Sequence, residues 1–414
     1  MRFSKHLPFF RDVLLFSLSA FGGPQGQLGM MIKSFVEKKP YISLKDLVNI
    51  NAFCQLMPGA TITQTVSLIG YRQGGVWVAI ITLLIWSTPA VLLMSALSFV
   101  LSSNNPSILQ HLRFVQPMAL GFLAFASIKT YAMIDTKQKW FIVFVSAFVT
   151  YALFKTPWVF PIVLLCGGLM GSIGKPVASL QRAIASRLRF FPILLFAILF
   201  LLAGFLSEAA RKESWKNRTP FNVFENMYRF GSIVFGGADV LIPVMYNQYV
   251  VRPETERIKR TNKDVISIDR NAFLSASGVV RAIPGPAFSI SAFIGGMAMS
   301  DRGWGYQMLG CFLAATGIFL PTFLLVIFFY PFWENIQQYG RVQNTMAGVN
   351  AAVVGIMTAS IIYLFKDTVI SFVDKPILDT ILFFAVFCST FFLLYYTRIS
   401  APLIALGCLL LGFI

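Results

Sequence analysis

The amino-acid sequence predicts an all-α polytopic membrane protein made of two homologous repeats with broken or re-entrant helices, joined by one additional transmembrane helix. Three observations predict this fold class. Hydrophobic residues make up 57% and charged residues 12% of the 414-residue chain, a balance that is foreign to soluble proteins. Several apolar runs, such as Val76 to Leu101, exceed the roughly 20 residues that cross a hydrocarbon core of about 30 Å. The third observation is a set of motifs that occurs twice.

Five motifs of the first half recur in the second half in the same order. FGG at 21–23 recurs at 235–237, and QLMPGATITQTVSLIG at 55–70 recurs as RAIPGPAFSISAFIG at 281–295. STPAVLLM, PMALGFLAF and FPIVLLCGGLMG pair with FLPTFLLV, TMAGVNAAV and APLIALGCLLLG. The predicted organisation is a first transmembrane repeat, a basic cytoplasmic linker with a connecting transmembrane helix, and a second transmembrane repeat, at 1–175, 176–219 and 220–414.

Each repeat is predicted to contain two interrupted segments followed by four uninterrupted helices. The first repeat has interrupted segments at 9–36 and 44–72, then helices at 75–101, 110–133, 139–154 and 157–173. The connecting helix lies at 190–207. The second repeat has interrupted segments at 221–250 and 268–300, then helices at 303–332, 341–365, 377–396 and 398–413. If each repeat crosses the membrane an even number of times, the connecting helix inverts the second repeat, as in many secondary transporters.

Basic residues flank the first two segments and favour one threading of the chain. All of them would be cytoplasmic if each interrupted segment enters and leaves on the same side, which makes the two segments re-entrant hairpins. The loop at 252–270 carries charges of both signs, so ordinary spanning helices remain the alternative. The flanking residues are Arg2, Lys5, Arg11, Lys33, Lys38, Lys39, Lys45 and Arg72.

The net charge is +17, but the basic residues lie in loops between apolar segments. This distribution is typical of membrane topology rather than of a nucleic-acid-binding face. A basic vestibule that attracts an anion is compatible with the same charges. His6 and His111 lie far apart and the five cysteines lack CxxC spacing, so no metal or cofactor is expected.

The breaks in the interrupted segments are candidate binding sites. An unsatisfied backbone amide in lipid costs several kcal/mol, so a break at membrane depth needs protein, water or ligand to satisfy it. Freed N–H groups at a half-helix N-terminus suit an anion. Kinking or close packing is the alternative for an isolated break, but four matched breaks favour a binding site. The candidate binding residues are Gly22, Gly23, Gln25, Gln27, Gln55, Pro58, Gly59, Thr61, Thr63, Gly236, Gly237, Asp239, Arg281, Pro284, Gly285 and Ser289.

Two of these residues are charged and stand where the first repeat has amides. Asp239 takes the place of Gln25, and Arg281 takes the place of Gln55. Charge within a membrane is expensive enough to indicate function, with a partner nearby. Arg281 is a candidate donor to an oxyanion and Asp239 a candidate proton carrier. A buried structural ion pair is the alternative interpretation.

The motifs FGGPQGQLGMM, CQLMPGATITQTVSLIGYRQGG, FGGADVLIP and PGPAFSISAFIG resemble the duplicated motifs of the chromate ion transporter family. The resemblance covers nearly the whole chain. It implies a secondary carrier in the bacterial inner (plasma) membrane that expels chromate, an oxyanion resembling sulfate, with the proton motive force. Two departures bear on the anion: the family usually has PGP where this chain has Pro58-Gly59-Ala60, and Arg281 replaces a residue that is often acidic or neutral there.

Three classes of function compete for this sequence. A carrier for chromate or another anion such as sulfate is favoured by the duplicated breaks and the titratable Asp239. An anion channel would share the basic vestibule and the broken helices. An enzyme is disfavoured, because the apolar segments offer too few acids and no histidine pair for acid-base chemistry. The expected partners are a small oxyanion, protons and the lipid bilayer, and not nucleic acid; assembly as a homodimer stays open.

Overall fold

The structure of the chain is a computed structural model, and every regular element in the residues that it describes is helical. The described residues are 3–21, 23–103, 112–131, 136–154, 159–173, 190–235, 237–256, 258, 265–336, 340–370, 377–397, 399 and 401–412.

The first half of the chain forms helices α1 to α7, and the connecting helix is α8. The bounds are α1 Leu7–Ser19, α2 Gly23–Ile32, α3 Leu44–Leu56, α4 Thr61–Ser102, α5 Val115–Tyr131, α6 Lys137–Ala152, α7 Val159–Ser172 and α8 Phe191–Lys212.

The second half forms helices α9 to α16. The bounds are α9 Thr219–Ile233, α10 Ala238–Tyr246, α11 Arg270–Ala282, α12 Ile290–Ala298, α13 Trp304–Ile336, α14 Gly340–Ile370, α15 Ile377–Tyr396 and α16 Ala401–Leu411. The second half also contains 3-10 turns at Ala287–Ser289 and Ser300–Arg302.

The interrupted segments predicted from the sequence are confirmed. The half-helices α1 and α3 have 13 residues each, about 20 Å at 1.5 Å per residue, which is too short to cross a bilayer. The α3 half-helix and α4 are separated by a loop that contains Pro58 and Gly59. In α4 the backbone leaves helical geometry at Gly74 and Gly75, where the sequence predicted the boundary between an interrupted segment and the next helix.

In the described residues, five helices are long and apolar enough to cross a membrane. They comprise the connecting helix and helices from both halves of the chain, so the protein is a multi-pass membrane protein. These helices are Thr61–Ser102, Phe191–Lys212, Trp304–Trp333, Ala347–Lys366 and Ile377–Tyr396.

Unusual backbone geometry recurs at equivalent positions of the two halves. A π-helical segment follows α2 at Lys33–Lys38, and another follows α10 at Asn247–Val251. Counted from the FGG motifs, Lys33 and Asn247 occupy the same position. Gly75 within α4 and Gly303 directly before α13 each follow the second interrupted segment of their half, and both have positive φ, at +77° and +93°. Because π-helical turns are rare, their repetition at equivalent positions supports homology between the halves.

The chain divides into two compact units, each drawn from both halves of the sequence. The first unit is Met1–Ser103, Ala183–Gly237 and Ile283–Asn335, and the second is Asn104–Arg182, Ala238–Ala282 and Ile336–Ile414. This division reports contacts rather than homology, so the repeat boundaries and the inverted orientation stay predictions.

In the first unit, Tyr41 closes the loop between the two broken segments. Its hydroxyl donates a hydrogen bond to Asp12 Oδ2 at 2.6 Å, and its carbonyl accepts one from Gln73 Nε2 at 2.7 Å. Burial, together with the Asp12 carboxylate, raises the pKa of Tyr41 to about 12. The hydroxyl therefore stays a hydrogen-bond donor at physiological pH and holds the loop onto α1.

In the second unit, α14 packs against α6 and α7. Gly348 of α14 approaches Gly167 so closely that a Cβ atom at position 348 would lie 2.1 Å from the Gly167 carbonyl oxygen. A Cβ at Gly171, one turn further along α7, would lie 2.7 Å from Gly348 Cα. Small residues four positions apart permit this close approach of membrane helices.

Candidate functional site

The proline-glycine loop of each half bonds to the FGG break of the other half, within the first unit. Gly59 N–H donates to the Val234 carbonyl at 2.7 Å, and Gly285 N–H donates to the Ala20 carbonyl at 3.2 Å. Ala20 and Val234 occupy equivalent positions, each directly before an FGG motif. The two bonds satisfy backbone groups that the breaks would otherwise leave unpaired. We call this arrangement the break cluster.

Gln27 completes the break cluster. Its side-chain Nε2 donates to the Ala20 carbonyl at 3.2 Å and to the Gly285 carbonyl at 2.9 Å. The side chain is only 7% exposed. Because a side-chain amide nitrogen has two donor hydrogens, both are engaged by backbone carbonyls. Gln27 therefore stabilises the break between α1 and α2, and its Nε2 has no hydrogen left to donate to a ligand.

Polar residues after the first proline-glycine loop are buried. Thr63 Oγ1 accepts a hydrogen bond from Trp86 Nε1 at 3.0 Å, and Gln64 Nε2 donates to the Pro58 carbonyl at 2.7 Å. Gln64 Oε1 is buried and has no hydrogen-bond partner among the described residues. In the second half, the Ser289 hydroxyl is likewise buried without a partner there. These atoms are polar groups available in the interior of the first unit.

Alanine at Gly59 is expected to destabilise the protein strongly. Gly59 has φ +118°, and its Cβ would lie 2.4 Å from Thr322 Cγ2. Strain and overlap together should cost about 2 kcal/mol or more, visible as a lower melting temperature in detergent. Gly204→Ala is the matched control: nothing lies within 4 Å of its Cβ, so stability should be unchanged or slightly raised. Equal melting temperatures for the two variants would contradict this account of the loop.

Asp239 and Arg281 form an ion pair within the second unit. Arg281 Nη1 donates to Asp239 Oδ1 at 2.8 Å. The side chains are 13% and 18% exposed for Arg281 and Asp239, respectively. Charges that are this well buried interact strongly and are expensive to separate from their partner. The sequence analysis expected a nearby partner for each of these two charges, and the structure pairs Asp239 with Arg281.

Helix ends stabilise both members of the ion pair. Asp239 lies in the first turn of α10, where a negative charge is favourable, and Arg281 lies in the last turn of α11, where a positive charge is favourable. Gly237, at φ +71°, turns the chain into α10. Pro243 has no N–H, so the Asp239 carbonyl four residues earlier lacks its usual helical donor.

The guanidinium of Arg281 is only partly satisfied. One arm binds Asp239, while Nη2 is buried and has no hydrogen-bond partner among the described residues. A guanidinium can donate two parallel hydrogen bonds to an oxyanion. A buried donor of this kind is costly unless a further acceptor reaches it. Arg281 can therefore hold Asp239 and still offer an N–H group to another oxygen.

The remaining predicted residues are distributed as follows. Gly22 and Gly236 lie outside the described residues, as does the side chain of Gln25, whose backbone is in the first turns of α2. Gln55 lies in the last turn of α3 with its side chain exposed. Thr61 begins α4, and its carbonyl accepts a bond from Thr65 at 2.9 Å. Gly23 begins α2, and Pro284 lies beside Gly285 in the second loop.

Sequence reasoning did not place Trp86 and Thr322 in the site. Trp86 is fully buried, bonds Thr63 and stacks on Phe16 with ring centroids 5.0 Å apart. Thr322 lies over Gly59 and donates to the Gly231 carbonyl at 3.2 Å. The pairing of STPAVLLM with FLPTFLLV could have identified Thr322. It aligns Thr322 with Ala90, and Ala90 lies over Gly285 as Thr322 lies over Gly59.

The chain matches the family model described as chromate transporter at residues 7–172 and 221–413. A chromate transport protein of Pseudomonas aeruginosa is 25% identical over 87% of this chain and 81% of its own length. A chromate transport protein of Cupriavidus metallidurans is 26% identical over 95% and 89%, respectively. An uncharacterized transporter of Methanocaldococcus jannaschii is 22% identical over 99% and 94%. No solved structure matches the chain.

The family model thus covers both halves of the chain and omits the connecting segment. This division is consistent with two repeats. The described residues that the family model matches are helical, and several of their helices are long and apolar enough to cross a membrane. Membership rests on the full span of both matches rather than on single motifs. The chain belongs to the chromate transporter family.

Proposed function

We propose that this protein is a secondary active transporter that exports chromate across the inner (plasma) membrane of a bacterium, driven by the proton motive force. Family membership and the names of the two bacterial relatives support chromate as the substrate. The observation that carries the proposal is the Arg281 guanidinium, which is buried, paired through one arm and unsatisfied at Nη2.

Chromate is a tetrahedral dianion, and the environment of Arg281 offers what such an anion needs. The guanidinium supplies a fixed positive charge and a fork of donors. Asp239 lies in the first turn of α10, and a helix N-terminus carries a partial positive charge because its first N–H groups have no intrahelical partners. In this proposal the anion takes the Nη2 donor first and then competes with Asp239 for Nη1. The break cluster holds the backbone around Pro58-Gly59 and Pro284-Gly285 in a fixed form.

Proton coupling follows from the same ion pair. When an anion occupies Arg281, the Asp239 carboxylate loses its partner, and a buried carboxylate without a partner favours protonation. Anion binding would therefore bring a proton onto Asp239, and anion release would return the carboxylate to Arg281. The anion and the proton would then cross together with a net negative charge, so the inside-negative membrane potential, the electrical part of the proton motive force, would drive export without leaving a bare charge in the interior.

A carrier is favoured over a channel for two reasons. The halves repeat the same broken helices, an arrangement that secondary transporters use for alternating access. In addition, the proline-glycine loop of each half is hydrogen-bonded to the FGG break of the other half. Such fixed contacts favour a small number of defined conformations, as a carrier requires. A carrier for another anion such as sulfate is the second candidate, because sulfate has the same charge and tetrahedral shape.

The proposal is tested with purified protein in liposomes. We expect labelled chromate to accumulate against its gradient when a pH gradient is imposed, and unlabelled sulfate to compete less well than unlabelled chromate. Collapse of the pH gradient by a protonophore should abolish accumulation. Flux that only dissipates a chromate gradient, with no response to pH, would identify a channel. Preferential accumulation of sulfate would show that the protein is a carrier whose substrate is sulfate rather than chromate.

A further inference from the structure

The first turn of α4, in the first unit, is a buried helix N-terminus without a cap. Ala60, the residue before the helix, makes no side-chain capping bond. The first backbone bond of the helix is the one that Gln64 N–H donates to the Ala60 carbonyl at 3.0 Å. The N–H groups of Thr61, Ile62 and Thr63 have no hydrogen-bond acceptor among the described residues. Buried helix ends normally have partners for these donors, so this end can offer them to a ligand.

The Gln64 side chain turns back over the same helix end. Its Nε2 donates at 2.7 Å to the carbonyl oxygen of Pro58, which precedes the helix. Because a carbonyl oxygen can only accept, this bond fixes the orientation of the amide and leaves Oε1 as its free end. Oε1 shares a carbon atom with Nε2, so it also lies at the N-terminus of α4. It has no hydrogen-bond partner among the described residues, and Gln64 is 1% exposed.

The helix end lies at the tip of a hairpin formed by α3 and the first part of α4. Asp46, in the first turn of α3, pairs with Arg72 at 3.1 Å. Arg72 follows the start of α4 by about three turns, so this contact ties together the ends of the two helices that lie away from Pro58-Gly59. The titratable group nearest the tip is the Cys54 thiol, which is fully buried and bonds to Thr65.

The surroundings of the tip are otherwise neutral. In the described structure, no hydrogen bond or ion pair of residues 57–65 involves a charged side chain. Of the helices that pack against α4, α2 and α12 contain no charged residue. Arg11 and Asp12 of α1 lie about two turns before the end of that helix, and His6 lies beside Gly74. The positive end of the α4 dipole is therefore the charge at the tip.

The tip is accessible from one side. Pro58 and Gly59 are buried, but Met57 and Thr61 are partly exposed and Gln55 is exposed. Thr61 is the first residue of α4 and carries one of the free N–H groups. A small anion can therefore reach these donors from the side of Thr61.

The chemistry of the tip selects a ligand that both accepts and donates hydrogen bonds. Free N–H groups at a helix N-terminus bind the oxygens of an anion, whereas Oε1 needs a hydrogen from the ligand. Chromate takes up a proton near neutral pH to form hydrogen chromate, but sulfate and selenate stay unprotonated until the solution is strongly acidic. We propose that the N-terminus of α4 binds hydrogen chromate, whose O–H donates to Gln64 Oε1, and that this bond selects chromate over sulfate. The inference rests on the proposed function, because it takes an oxyanion as the substrate.

Selenate is the probe that isolates the proton, because it resembles chromate in charge, shape and size but carries no hydrogen. Equilibrium dialysis of the purified wild-type protein with labelled chromate measures displacement by unlabelled anions. At about pH 6, selenate should compete roughly 10- to 100-fold less well than chromate for one site per chain. At about pH 9, where chromate is itself unprotonated, the two anions should compete equally. Titration of groups on the protein affects both anions alike, so the ratio reports the proton on the anion.

Equal competition at both pH values would overturn the proposal and leave a buried water as the partner of Oε1. The protein would then still bind chromate, so the proposed function would survive this result. A protein that binds neither anion would contradict the proposed function itself.

A variant locates the selection at Gln64. Gln64→Met removes the acceptor and keeps a side chain of similar length, so the advantage of chromate over selenate at about pH 6 should disappear. Gln307→Met is the matched control, since Gln307 is a buried glutamine of the same unit whose amide donates to Ser98 and Ser102. Its ratio should equal that of the wild type. A wild-type ratio in Gln64→Met would overturn the assignment, and if this variant folds poorly, the wild-type comparison at the two pH values decides alone.

Discussion

Arg281→Lys is expected to lower the initial rate of chromate uptake into proteoliposomes by roughly 10- to 100-fold while the protein still folds. Lysine keeps the positive charge that Asp239 needs, so the cost of an unpaired buried carboxylate is avoided. An ammonium cannot, however, bind Asp239 through one arm and present a second planar donor to an oxyanion. The loss should correspond to one charge-assisted hydrogen bond, worth about 1.5–3 kcal/mol.

The control for this effect is Arg229→Lys. Arg229 also forms an ion pair, with Glu225 at 3.6 Å, but lies in α9 and has no proposed role with the anion. Its substitution should leave uptake within about twofold of wild type, since partly exposed ion pairs contribute little. Uptake rate, melting temperature and yield are measured for both variants. Unchanged uptake by Arg281→Lys at normal yield would remove the anion-binding role from Arg281.

Replacing Arg281 by glutamine removes the positive charge and leaves a neutral side chain that can still form hydrogen bonds. Glutamine is the residue at the equivalent position of the first half, Gln55. Alone, Arg281→Gln leaves Asp239 without its partner and should reduce the yield of folded protein. The double variant with Asp239→Asn should recover folding and still fail to transport. Transport by the double variant would show that the pair is structural.

Much of the fold was predictable from sequence because it depends on local chemistry. The interrupted segments and the helices that follow them were predicted from three features: the length of the apolar runs, the positions of glycine and proline, and the internal repeat. The Gly74-Gly75 boundary was predictable, since two glycines weaken a helix wherever they occur. The two π-helical segments were not, because no residue type marks them.

The candidate site was predictable in its residue types but not in its pairings. An aspartate and an arginine in apolar surroundings each require a partner, so their contact followed from electrostatics. The role of Gln27 did not follow, because it depends on a carbonyl 258 residues away in the sequence. The sequence predicted Gln55 as a binding residue, yet its exposed side chain makes no bond to the break cluster. Its role in binding stays a prediction.

Asp239→Asn is expected to preserve chromate binding and abolish accumulation driven by a pH gradient. Asparagine has nearly the shape of aspartate and can still accept a hydrogen bond from Arg281 Nη1. It removes the negative charge that competes with the anion, so the affinity for chromate should be unchanged or higher. It also removes the group that takes up a proton when the anion binds. Binding and coupling should therefore separate in this one variant.

The measurement compares two fluxes in the same proteoliposomes. Exchange of labelled for unlabelled chromate at equal concentrations requires binding and movement only, and it should persist in Asp239→Asn. Accumulation against a gradient under an imposed pH difference requires the proton, and it should fall to the level of empty liposomes. Asp379→Asn, in the first turn of α15, is the matched control and should behave as wild type. Accumulation by Asp239→Asn with wild-type pH dependence would mean that the coupling proton binds another group. Asp239 would then serve only to hold Arg281, because a buried guanidinium needs an acceptor whether or not a proton accompanies the anion.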